Sequence, residues 1–292
     1  MASDGKDTDP TEPIRKLRLG RWTAQLLPRQ PYESRYTADR PALGFSFDHQ
    51  SGHHAIASDR VTPFQAMPNG LAFVPTGCDV YSQSRRGGEY LVVSGFDPLH
   101  DLDRDGGKSL RDPFRDRIDA PAVVAAHALR RTLLHPTPAN ALTGEAACLT
   151  LLDRLRAPCG PAPGQRDAAR WMTPARLRMA FDVIEAKLDS ALTVQDIADA
   201  LGLSAGFFAR AFRAATGQPP HAHIIDRRLA RARAALVAGT GDLSALAVET
   251  GFSSHAHFTT QFRQRFGLSP RAFRDSLREP GHTPIAQKSA VE

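Results

Sequence analysis

Apolar and polar positions change their spacing partway along this 292-residue chain. Residues 1–13 are polar and charged and predict a disordered tail. From about Pro41 to Phe96, short β-type runs alternate with turn residues: 42–47, 70–74 after a Pro68-Asn69 turn, 80–83, and 89–96 beyond Arg85-Arg86-Gly87-Gly88. Short strands at this spacing predict a small all-β sandwich or barrel. Residues 97–119, crowded with Asp, Arg, Gly and Pro, predict an irregular connection. Pro121 opens a helix bearing Val123, Val124, Ala128 and Leu129. A second helix carries Leu142, Ala146, Leu149, Leu152 and Leu155 mainly on one face. The run Ala157-Pro158-Cys159-Gly160-Pro161-Ala162-Pro163-Gly164 cannot continue a helix and marks a linker.

The remainder is helical in pattern. Thr173-Pro174 caps a helix striped by Leu177, Phe181, Ile184 and Leu188. Thr193 starts the next, with Val194, Ile197, Ala198 and Leu201 inward and Gly202 as its stop. Ser204 starts a third, packed through Phe208, Phe212 and Ala215 and stopped at Gly217. A connecting helix covers about 221–238, with Ile225, Leu229, Ala232 and Leu236 inward. Asp242, Gly251, Ser253 and Gly267 then repeat the start and stop signals, and Ser269-Pro270 opens a short last helix with Phe273 and Leu277. Residues 280–292 predict a second disordered tail.

The repetition is the most informative feature. Phe208, Phe212 and Gly217 recur 50 residues later as Phe258, Phe262 and Gly267. Two short-helix, glycine-turn, longer-helix units joined by one helix are the grammar of a double helix-turn-helix, which places two helices in adjacent major grooves of double-stranded DNA. A connecting helix of about 18 residues spans roughly 27 Å at 1.5 Å per residue, close to the ~34 Å duplex turn. Facing outward are Ala205, Gly206, Ala209, Arg210 and Arg213 in the first unit. In the second they are Ser254, His255, Ala256, Thr259, Thr260 and Arg263.

Charge supports that partner without proving it. The formal net charge is +6 and the pI about 9.6. Across 171–280, 14 Arg and Lys oppose 10 Asp and Glu, and Lys187 is the one lysine. Arginine is the better side chain for bidentate contacts to phosphate and guanine. Three separated cysteines, no run long enough to span a bilayer and no apolar leader-type stretch predict a reduced cytoplasmic setting without membrane partners.

Residues from about 174 to 278 resemble the DNA-binding domain of the AraC/XylS family of transcriptional regulators. The match runs through Arg228-Leu229-x-x-Ala232, Ala247, Gly251-Phe252-Ser253, Phe258, Phe262, Phe266-Gly267-x-Ser269-Pro270-x-x-Phe273-Arg274. The resemblance implies seven helices, the third and sixth of them in successive grooves. It puts base-reading positions at Gly206, Ala209, Arg210, His255, Ala256 and Thr260, and backbone positions at Ser204, Arg213, Ser254, Thr259 and Arg263. Relatives often carry an aromatic or glutamine where Gly206 and Ala209 stand, leaving Arg210 as the long polar reader. The run Gly52-His53-His54, Pro63-Phe64, Gly70 to Pro75, Gly77 and Glu89-Tyr90 is similar to the cupin-type domain common in this family. That implies a small-molecule effector of unknown identity, with Phe45, Phe47, His54, Phe73, Tyr81 and Tyr90 as candidate walls, or a homodimer. RNA polymerase is carried as a further candidate partner.

Sharper chemistries find little support. Adjacent His53 and His54 point to opposite faces of a strand, and His221/His223 and His255/His257 lie two apart on helices, about 200° around the axis. No metal, cofactor or catalytic set is expected, and Cys78 reads as a small half-buried residue. The expected architecture is therefore α+β in two domains: a cupin-like β-barrel with following helices at 14–156, a linker at 157–170, and an all-α seven-helix domain at 171–279. Its helix-turn-helix motifs fall at 193–216 and 243–266. Two alternatives stay open: a DNA-architectural or protein-interaction module without sequence choice, and a cupin-type metal enzyme fused to a DNA-binding domain.

Overall fold

The computed structural model describes residues 12–96, 112–156 and 166–277. The tail before residue 12, most of the irregular connection, the core of the expected linker and the tail after 277 lie outside these residues.

Ten strands build the N-terminal region: β1 Arg15–Leu19, β2 Trp22–Leu27, β3 Tyr32–Thr37, β4 Ala42–Ser46, β5 Gln50–Ile56, β6 Thr62–Ala66, β7 Gly70–Val74, β8 Asp79–Ser84, β9 Tyr90–Ser94 and β10 Phe114–Ile118. They form a six-stranded sheet, β1-β2-β9-β4-β7-β10, and a four-stranded sheet, β3-β8-β5-β6. Among the described residues no strand pair joins the two, so they are open sheets and not a closed barrel. The strands also begin earlier than Pro41.

Register explains the six-stranded sheet. Leu26, Leu91, Phe45 and Leu71 are successive cross-strand partners, and Ala24, Val93, Leu43 and Phe73 form the parallel row. All eight are buried in one cluster with Ala126 and Leu129 of α1 (Ala120–Leu134) and Leu151 and Leu155 of α2 (Pro138–Arg156). Asp119 caps α1 by accepting from the Ala122 amide at 2.9 Å. The stripe expected on α2 is partly rotated: Leu152 and Leu155 are buried as expected, but Leu142 and Leu149 are 76% and 54% exposed, and Gly144, Ala147, Cys148 and Leu151 face in. Gly144 decides the rotation, because a Cβ there would lie 2.8 Å from Leu19 of β1.

Eight helices follow: α3 Arg166–Trp171, α4 Pro174–Ala186, α5 Val194–Ala200, α6 Ala205–Thr216, α7 Pro220–Val237, α8 Leu243–Glu249, α9 His255–Phe266 and α10 Pro270–Ser276. Helix α3 falls in the expected linker. Two separate cores hold them. One gathers Leu177, Phe181, Ile184, Ile197, Phe208 and Phe212, with Ile224 from α7. The other joins Leu229, Leu236, Phe258, Phe262, Phe266 and Phe273 to the cluster of the six-stranded sheet. The second helical unit thus shares its core with the β-rich region.

Buried charge reinforces that junction. Arg227 of α7 pairs with Asp48 at 2.8 Å. Arg233, one and a half turns on, binds Glu89 and also Glu12, with Nε 3.0 Å from the Glu12 carboxylate. Glu12, expected in the tail, is therefore pinned. Arg130 of α1 binds Glu89 too and lies 4.7 Å above the rings of both Phe47 and Phe266. Asn69 donates to the Thr216 carbonyl at 3.0 Å, tying the first helical unit to the sheet.

Candidate nucleic-acid interface

Each exposed helix of interest is set by the residues before it. In the first unit, Thr193 and Asp196 form a reciprocal capping box, with the Thr193 amide donating to the Asp196 carboxylate at 2.8 Å. Gly202 takes the left-handed conformation at φ +68°, and Ser204 caps α6 by accepting from the Phe207 amide at 3.3 Å. In the second, Asp242 caps α8 through the Ser244 and Ala245 amides at 2.8 and 3.1 Å. Gly251 turns at φ +83°, and Ser254 caps α9 through the His257 amide at 3.2 Å.

The cap is Ser254, not the Ser253 expected from the sequence. The second turn is one residue longer than the first, so α6 and α9 are both 12 residues and stand 50 apart. Phenylalanines lock both inward. Phe208 and Phe212 sit 5.5 Å apart between ring centroids, and Phe258 and Phe262 sit 5.7 Å apart, all four fully buried. The corner before α9 has an added clasp. Arg228 of α7 donates to the carbonyls of Leu188 and Ser190 at 2.9 and 2.6 Å, and Gly251 packs directly against that pair.

The outward faces follow. Gly206, Arg210 and Arg213 on α6 are exposed, with Ala209 half-buried. On α9, His255, Ala256, Thr260 and Arg263 are exposed. The Arg210 guanidinium reaches back over Gly206, where a Cβ would make ordinary contact with Nη1 at 3.7 Å. Ser204 and Ser254 each accept one amide at the cap, leaving each hydroxyl proton to donate elsewhere. Thr259 differs: its hydroxyl oxygen is buried, which turns it away from the outward face.

The six residues read as effector walls do not meet in one pocket. Phe45, Phe47 and Phe73 are buried in the shared core. Tyr90 lies over Gly44, and burial raises its phenol pKa. His54 stacks on Phe64 at 5.1 Å and meets Arg115. Tyr81 donates to Glu33 at 3.2 Å beneath Arg35. Of the histidine pairs, His221 is exposed, whereas His223 is buried and accepts from Gln218 Nε2 at 3.1 Å. Burial raises the Cys78 thiol and pushes Cys148 up to about 12. Among the described residues no cluster of three or more His, Cys, Asp or Glu is placed to hold a metal, and no helix is long and apolar enough to cross a membrane.

Residues 197–276 match a family model described as a helix-turn-helix domain. The chain is 29% identical over 127 residues to Regulatory protein PocR of Salmonella typhimurium, covering 42% of each. It is 33% identical over 102 residues to HTH-type transcriptional activator RhaS of Escherichia fergusonii, covering 35% of this chain and 37% of that one. The C-terminal third is an AraC-type helix-turn-helix domain. A solved structure described as a transcriptional regulator with an AraC-type DNA-binding domain, from Chromobacterium violaceum, is 31% identical. The match covers 37% of this chain and 96% of that chain, with a TM-score of 0.34. The chain spans about two-fifths of the length of the two curated relatives. The AraC-type domain holds both exposed helix faces, α6 and α9, and the connecting helix α7 between them.

Proposed function

We propose that this protein is a sequence-specific DNA-binding transcriptional regulator, with α6 and α9 entering successive major grooves of double-stranded DNA. The supporting observation is the pair of equal-length helices, each fixed by a glycine corner, a serine cap and a phenylalanine lock, with the polar face outward. Arg210 reads a base edge, because it is the one long polar side chain at the reading positions of α6 and a guanidinium matches guanine N7 and O6. His255, Ala256 and Thr260 read the second element, partly through DNA shape. Arg213, Arg263 and the capped helix N-termini at Ser204 and Ser254 hold phosphates.

The β-rich region, cupin-like in its two antiparallel sheets, serves regulation rather than catalysis, and the protein acts in the cytoplasm as a homodimer. Pairing through α1 and α2 is supported by three large apolar side chains left exposed there, Val124, Leu142 and Leu149. Selection from a random duplex pool tests the reading. The expected product is a motif of two short elements about 10–10.5 base pairs apart. Recovery of no motif at all, from protein that still binds DNA, would favour an architectural role.

A further inference from the structure

A half-open cavity of about 1790 Å3 lies between the β5, β6 and β10 side of the β-rich region and the helices α4 and α6. None of the six aromatic or histidine side chains proposed as effector walls lines it. Its character is set by charge: seven arginines line it against two aspartates. Arg154 is held by Asp119, with Nε and Nη2 at 3.0 and 2.8 Å from the carboxylate. Arg115 pairs with Asp116 at 3.0 Å. Arg85, Arg86, Arg178 and Arg213 have no ion pair among the described residues. Like charges gathered on one concave surface repel, and the concavity concentrates their field on whatever anion enters.

The backbone is shaped to the same end. The pairing of β10 with β7 shifts register between Phe114 and Arg117, and Asp116 within that bulge sits at φ +58°, a region that non-glycine residues avoid. Bulges re-aim side chains. Here the bulge carries the Arg115 guanidinium to 4.5 Å over the Phe64 ring, at the cavity wall. Asp116 is fastened in turn by the Met67 amide at 3.0 Å. Phe114, Ile118, Met172 and Leu177 supply apolar wall beside the charge. The volume exceeds the ~300–1,000 Å3 of a typical small-ligand pocket, so one ligand fills part of it.

We propose that this cavity binds an amphipathic organic anion, a carboxylate or phosphate headgroup on an apolar body, and that the first recognition helix senses its occupancy. The sensing half rests on the DNA-binding reading. Arg213, Ala214 and Ala215 in the last turn of α6, with Gly217 just past its end, belong to the wall, and the Thr216 carbonyl is where Asn69 ties that helix to the sheet. Arg213 is also the phosphate-contacting candidate, so an anion that engages it competes with DNA. By linkage, ligand and DNA weaken each other by the same factor.

The test is calorimetric titration of the full chain, without DNA, with octyl phosphate at submicellar concentration, octylammonium and inorganic phosphate. Octyl phosphate is expected to saturate one site per chain. Octylammonium is expected not to bind there, and inorganic phosphate to bind roughly tenfold more weakly or worse, lacking the apolar body. The pair Arg86→Glu with Arg178→Glu is expected to weaken octyl phosphate by about tenfold or more, and Arg271→Ala, a surface arginine outside the cavity, not at all. Both targeted arginines are exposed, and an unchanged melting temperature shows that the variant is folded. No saturable binding of octyl phosphate, or binding that survives the double substitution, overturns the site. Inorganic phosphate binding as tightly overturns the amphipathic assignment. If octyl phosphate binds but leaves DNA affinity unchanged, the coupling to α6 is overturned and the site stands. DNA binding measured without any anion reports separately on the regulator reading.

Discussion

Gly202 and Gly251 occupy equivalent corners in different surroundings. Both have positive φ, which costs an L-residue about 1–2 kcal/mol. Nothing lies within 4 Å of a Cβ at Gly202, but one at Gly251 would be 2.3 Å from the Leu188 carbonyl oxygen and 2.8 Å from Arg228 Nε. Gly251→Ala is therefore expected to destabilise by at least ~1 kcal/mol more than Gly202→Ala, measured by urea unfolding. Equal losses would mean that the Arg228 clasp yields freely. Acid sensitivity is also local. Burial, then the nearby Arg227, hold the His223 imidazole at about 3, against an ordinary 6.5. A folded value below the unfolded one means that this contribution is full above pH 6.5 and is lost as pH falls through 3. Burial works to raise the Asp48 carboxyl, but Arg227 and Arg29 outweigh it and hold it at about 2, so its contribution is lost between 3.8 and 2. His223→Gln is expected to flatten the decline between pH 6 and 4 and leave the steeper acid limb. The glycines, caps and phenylalanines were legible because they act on near neighbours in sequence. The pairs Arg227–Asp48 and Arg233–Glu89 were not, since each joins residues more than 140 positions apart and no local pattern marks an arginine for burial.

Among elements, the helices were easier to read than the strands. The 3.6-residue stripe of α4 to α10 repeats over many residues and is bounded by caps. Strands β1 and β3 are Arg-Lys-Leu-Arg-Leu and Tyr-Glu-Ser-Arg-Tyr-Thr, in which charged and polar residues mask the alternation, and β3 is largely exposed. Helix α2 is legible, and Leu152 and Leu155 of its apolar stripe are buried, but Gly144 packing against Leu19 turns Leu142 and Leu149 outward. The leucines left outside carry a consequence for assembly. Leu142→Glu with Leu149→Glu is expected to convert the proposed homodimer to monomer without loss of helicity, read by light scattering and circular dichroism. A wild-type chain that is already monomeric removes that role from α2. The junction between α7 and the sheet is the second test at this scale. Asp48→Ala removes one of the two carboxylates on the buried Arg227 guanidinium, leaving Glu185 as the other, and is expected to cost about 1.5–3 kcal/mol, whereas Arg271→Ala on the surface costs ~0–1 kcal/mol.

In the whole molecule, the two cores divide the chain differently from its composition. Proline and glycine at 157–164 draw the eye to one boundary, yet the second helix-turn-helix unit packs with the six-stranded sheet through α1, and the first has its own core. A fragment of residues 165–292 is expected to keep α6 protected from amide hydrogen exchange and to lose protection in α9, where Phe266 no longer meets Arg130. Equal protection in fragment and full chain would show that the shared core contributes nothing to α9. Sequence reading by α6 and α9 is tested by fluorescence anisotropy on a selected duplex and a scrambled one across a salt series. Affinity is expected to fall steeply with salt on both. Arg210→Ala is expected to lose about 1–3 kcal/mol on the selected duplex and little on the scrambled one, while Arg213→Ala weakens both alike. If Arg210→Ala lowers both affinities by the same factor, or the wild-type chain shows no salt-dependent binding, α6 and α9 do not read sequence as proposed.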